Sequence, residues 1–79
     1  MEMLTRENMV ASCLYRIHHI KGTVVARKYM IELNELEEDM MSLRMQAEYL
    51  DERAWDKATT ILGAEMILVS ELEARIYLA

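Results

Sequence analysis

Apolar residues recur along the first third of the chain at Met9, Val10, Cys13, Leu14, Ile17, Ile20 and Val24. Steps of three and four place them on one side of an α-helix of about 3.6 residues per turn, with His18 and His19 off the stripe. Thr5 stands just before it and is a natural N-cap, because its hydroxyl can accept from a free N–H of the first turn. Glu7 follows where the helix dipole favours negative charge. The pattern predicts an amphipathic helix over 6–21.

A seven-residue repeat then runs through Tyr29, Leu33, Leu36, Met40, Leu43, Ala47 and Leu50, with alternating gaps of four and three. This is the spacing of knobs-into-holes packing between helices. The first stripe, extended forward, would land on Arg27 and Lys28, so the apolar phase changes near residues 21–25. Gly22 and Thr23 lie there, and a Gly C-cap followed by a Thr N-cap accounts for the change, as would a bend in one long helix. The second helix is expected over 24–49.

Asp51 can cap a third helix, with Leu50 and Trp55 placed as a hydrophobic staple across its start. From 52 to 77, Trp55, Ala58, Ile61, Leu62, Met66, Leu68, Val69, Leu72 and Ile76 form a wide apolar arc. Lys57, Thr60, Ser70 and Glu71 lie opposite, and so broad an arc can face two neighbours. Glu65 projects near its centre. An unpaired carboxylate is costly to bury, so pairing with an arginine across the helix contact is expected, the alternative being a hydrated strip that faces a partner. Gly63 in mid-helix costs about 1 kcal/mol relative to Ala; either another backbone approaches it closely, the usual compensation, or the glycine is simply tolerated, as in many helices.

The expected fold is therefore all-α: one domain over 1–79, in which helices 24–49 and 52–77 form an antiparallel hairpin with a coiled-coil-like seam and an additional N-terminal helix joins them. Leu33, Leu36, Met40, Leu43, Leu62, Glu65, Val69 and Leu72 are the candidate packing and partner-binding residues. A heptad looks the same whether its partner lies in the same chain or another.

Composition adds a reason to look for a partner. At 79 residues, 53% of them apolar, the chain fits one small domain whose core supplies no more than roughly 3–5 kcal/mol of net stability. There is no proline, no phenylalanine and only two glycines, while eight methionines offer side chains that repack around irregular neighbours or simply fill gaps. Fourteen acidic residues against nine basic ones, a net charge of −5, argue against a nucleic-acid partner, which needs clustered Lys and Arg. Glu35, Glu37, Glu38 and Asp39 form the densest charge block, to be read as a solvated helix face or a dock for a basic partner. Cys13 is the single cysteine, which fits a reducing compartment, and neither a signal-peptide core nor a membrane-spanning run is apparent; a cytoplasmic location is expected, with no membrane insertion.

Reactive constellations are sparse. His18 and His19 point about 100° apart on a helix, and Cys13 lies at a poor spacing from them, so no metal site is expected. Cys13 sits on the apolar stripe, where a thiol behaves as a small hydrophobe. No Gly-rich phosphate loop or cofactor fingerprint accompanies the carboxylates. Neither an enzyme nor a cofactor-binding protein is the expectation.

The stretch Leu33-Asn34-Glu35-Leu36-Glu37-Glu38-Asp39-Met40-Met41, the aromatic Trp55 at the start of the last helix and the apolar run from Ile61 to Val69 resemble the small co-chaperones of bacterial type III secretion systems, the YscE/SsaE-like family. The likeness spans half the chain. It departs from that family in lacking a glycine-containing turn before the last helix and in its longer N-terminal arm. The resemblance implies a cytoplasmic helical hairpin forming a heterodimer with a helical-repeat chaperone, the pair sheathing an aggregation-prone needle subunit until export. Two other readings follow from the residues alone: a self-associating helical structural or adaptor protein, and a small phage-type acidic inhibitor acting through Glu35–Asp39.

Overall fold

The computed structural model describes residues 5–78, which fold into three α-helices: α1 (Arg6–Lys21), α2 (Met30–Gln46) and α3 (Glu52–Leu78). Short 3-10 segments, Val24–Tyr29 and Ala47–Tyr49, flank α2, so the helix expected over 24–49 is α-helical only in its middle. No strand occurs among the described residues.

Local chemistry sets the helix ends. Thr5 is the N-cap of α1, its Oγ1 accepting from Asn8 N at 3.1 Å. Asp51 opens α3 in the same way, its Oδ1 accepting from Ala54 N at 2.8 Å. At the end of α1, Gly22 is the C-cap with a right-handed φ of −78°. Thr23 differs from expectation: its hydroxyl donates back to Ile20 O at 2.7 Å and does not cap the segment that follows. Ile20 O also accepts from Thr23 N at 2.9 Å, so the amide and hydroxyl of one residue together close the last turn of α1 without a left-handed residue.

The direction of packing follows from pairs of residues. Glu7, near the start of α1, meets Arg44 near the end of α2, while Lys21 at the other end of α1 meets Glu37, so α1 and α2 run antiparallel. Arg6 lies over Trp55 and Arg16 reaches Glu73, so α1 and α3 run in the same sense. The closest backbone packing is between α1 and α2, with α3 approaching α1 more closely than it approaches α2. The expected pairing of the second and third helices is therefore not the tightest one in the molecule, and α1 is no accessory arm.

The core draws on all three helices: Val10, Ile17 and Ile20 from α1, Leu33, Leu36 and Met40 from α2, Met66, Val69 and Leu72 from α3, with Ala26 from the intervening segment. Every heptad position of the second helix is buried or half-buried, as the spacing predicts. On α3 burial concentrates in the C-terminal half, and Trp55, Ala58 and Leu62 remain half-buried. The radius of gyration is 13.3 Å, against about 11–12 Å for a compact domain of this length. The excess reflects an elongated shape of 40 × 30 × 17 Å, whose long axis matches the roughly 40 Å length of the 27-residue α3.

Gly63 does not meet another backbone. A methyl group built on it would touch nothing within 4 Å. The expected close approach is absent, and the glycine is simply a tolerated weak point. Gly63→Ala should accordingly raise stability by about 0.5–1 kcal/mol in thermal or urea unfolding; a loss of stability would mean that something packs on this position after all.

Candidate functional site

Four of the expected contact residues, Met40, Leu43, Leu62 and Glu65, line a groove between the C-terminal half of α2 and the N-terminal half of α3. The groove has a volume of about 260 Å³ and is lined further by Ala58 and Ile61, with Asp39, Ser42 and Gln46 along its α2 rim. The other expected partner-binding residues belong elsewhere. Leu33, Leu36, Val69 and Leu72 are buried in the chain's own core, and Met40 is buried there with only an edge at the groove. Their heptad register is therefore used mainly within the chain, because α1 occupies the face that a partner would need.

Glu65 is the unusual group here. Its Oε2 is shielded from solvent and has no hydrogen-bond partner. The arginine expected across the contact is missing among the described residues: Arg16 engages Glu73, Arg44 faces Glu7, Arg6 bonds backbone carbonyls, Arg75 lies over Tyr29, and Arg27 and Arg53 are exposed. Burial, and secondarily the negative charge of Asp39 across the groove, hold the Glu65 carboxyl above the usual carboxylate range. Both effects penalise the ionised form.

Arg6 organises the end of the molecule where the groove begins. Its Nη1 donates to Ala47 O at 3.1 Å and Leu50 O at 2.6 Å, and its guanidinium lies 5.1 Å from the Trp55 ring centre. One side chain from α1 thus closes the exposed carbonyls after α2 and braces the first turns of α3. On the other side of α1, Arg16 Nε and Nη2 donate to the two carboxylate oxygens of Glu73, with a further bond to Ser70. That hydrogen bonding holds the Glu73 carboxyl below its ordinary range.

Sequence reasoning overlooked Arg6 and Arg16, because a long cationic side chain reaches partners more than forty residues away that no spacing rule connects. A second apolar strip also escaped it. Met41, Met45 and Tyr49 follow one another at four-residue steps, are exposed at 54%, 80% and 90%, and adjoin Leu14 in a depression of about 470 Å³. Their four-residue spacing is legible in the sequence, alongside the more regular heptad of the same helix.

The remaining reactive groups do not converge. His18 and His19 are exposed on α1. Burial raises the Cys13 thiol above its usual range, with Arg16 opposing, so the thiol form dominates near neutrality. Of the acidic block, Glu37 is engaged by Lys21 at 3.1 Å, while Glu35, Glu38 and Asp39 are exposed. No group of three or more His, Cys, Asp or Glu among the described residues is arranged to hold a metal ion. No described helix is long and apolar enough to cross a membrane.

Arg6→Ala should cost about 2 kcal/mol in urea unfolding, since it removes two charge-assisted bonds and the ring contact, with Arg6→Lys falling between. The two shifted glutamates have opposite pH signatures. Glu65, with its folded pKa raised, weakens the fold as pH climbs from the ordinary carboxylate range through that folded value, and the penalty is absent at lower pH. Glu73, with its folded pKa lowered, adds stability above the ordinary range and loses it as pH falls through its folded value. Glu65→Gln should therefore raise the melting midpoint at neutral pH by roughly 2–4 °C, the effect of about 0.5 kcal/mol in a domain of this size, and remove the gain on mild acidification; a lower midpoint would contradict the unpaired carboxylate. No protein-family model, curated protein or solved structure matches this chain.

Proposed function

We propose that this chain is a protein-binding helical module, a small cytoplasmic co-chaperone that holds an amphipathic helix of a second protein in the groove between α2 and α3. The observation that carries this reading is the sparse packing of α2 with α3, beside which Leu43, Ile61 and Leu62 border an open groove. A helix laid there would remove apolar surface from water at about 25 cal/mol per Å², the usual source of affinity in helix-in-groove recognition. The exposed methionines on the neighbouring face suit adaptable contacts of the same kind.

The resemblance through Leu33–Met41, Trp55 and Ile61–Val69 narrows the proposal. On that reading the partner is the helical-repeat chaperone of a type III secretion system, and the heterodimer keeps the needle subunit soluble before export. Self-association is the less favoured reading, because a second copy brings the same excess of five negative charges to a groove that already holds unpaired carboxylates. An inhibitor acting through Glu35–Asp39 is disfavoured by the engagement of Glu37 with Lys21.

Co-expression with a type III needle subunit and its helical-repeat chaperone from the same genome should yield one complex of fixed stoichiometry that survives gel filtration. Leu62→Asp, at a half-exposed position, should weaken it at least tenfold by placing a carboxylate against apolar surface. Three proteins eluting separately would sink the secretion reading, and sedimentation of the chain alone as a dimer would favour self-association.

A further inference from the structure

We infer that the partner helix received by the α2–α3 groove carries a lysine or arginine within its apolar face, positioned to meet Glu65 and Asp39. The inference rests on the groove being a partner site, as proposed above, and specifies the chemistry of its occupant. Glu65 Oε2 is already out of solvent and unpartnered while the groove is open. Asp39 stands across from it on the α2 rim, close enough for its charge to act on Glu65.

A wholly apolar helix seated here would strip the remaining water from two carboxylates and offer them no donor, a penalty that opposes binding. A cation on a flexible stem reverses that balance. Its methylene chain covers Leu43 and Leu62 while its head donates to both carboxylates. Among the described residues none supplies such a cation. Arg6, Arg16, Lys21, Arg44 and Arg75 are engaged elsewhere, Arg27, Lys28, Arg53 and Lys57 are exposed, and no described basic side chain forms an ion pair with Glu65 or Asp39. Charge complementarity therefore selects a basic, amphipathic occupant over a second acidic copy of this chain.

A displayed library of amphipathic helices with a randomised apolar face tests the inference against the intact protein. Selection on the unmodified chain should enrich helices with Lys or Arg inside that face. Their affinity should fall roughly tenfold or more on Glu65→Gln, the loss of one charge-assisted hydrogen bond, and change little on Glu35→Gln, an acid on the exposed face of α2. Binding should also be lost on Leu62→Asp and on Ile61→Asp, both checked for retained helicity by circular dichroism. Selected helices without a cation in the apolar face, or indifferent to Glu65→Gln, would overturn the inference and leave the groove as a partner site. Equal sensitivity to Glu35→Gln with loss at high salt would reduce it to general surface attraction and overturn it as well. Helices indifferent to both groove substitutions, or no enrichment, would overturn the groove and the inference together.

Discussion

Val10, Ile17 and Ile20 lose all of their solvent exposure because α1 packs with both other helices, and the organisation of the molecule depends on that shared apolar stripe. In a chain of 79 residues too little apolar surface is available to close every pair of helices. Here α1 takes the tightest packing with α2 and then with α3, and the α2–α3 pair is left the loosest. The groove is a consequence of that distribution. It opens where α3 is least buried, beside the residues that follow Asp51.

Electrostatics reinforces the same hierarchy. Arg6 joins α1 to the end of α2 and to Trp55, Arg16 joins α1 to α3, and Lys21 joins α1 to α2. Exposed ion pairs contribute at most about 1 kcal/mol each, so their main effect is to orient the helices on a core formed by apolar burial. Their second effect is depletion. Among the described residues no basic side chain pairs with Glu65: Arg6, Arg16, Lys21 and Arg44 serve contacts with α1, Arg75 lies over Tyr29, and Arg27, Lys28, Arg53 and Lys57 are exposed. An unsatisfied carboxylate that penalises the isolated fold becomes a point of recognition once another molecule supplies the missing charge.

Helix existence, most helix ends and the packed faces were legible in local spacing. The caps at Thr5 and Asp51, the heptad from Tyr29 to Leu50 and the phase change near Gly22 all report interactions within a turn or two, and such interactions hardly depend on what lies across the core. The exceptions are instructive. The 3-10 turns around α2 and the backward-donating Thr23 arise where two helices of different phase must be joined in a few residues, a demand no window of sequence expresses.

Which helix covers which face was decided only in three dimensions. The same Leu33, Leu36, Val69 and Leu72 could have faced a partner or a neighbour in the chain, because the hydrophobic effect rewards area removed from water without regard to its source. Packing on α1 resolved that ambiguity. It assigned four leucines and valines to the core, left Leu43, Leu62 and Glu65 at an open edge, and exposed Gly63 to empty space. Periodicity along the chain determines the elements and their apolar sides; the competition among three stripes for limited contact determines the groove, since it depends on distances the one-dimensional order does not contain.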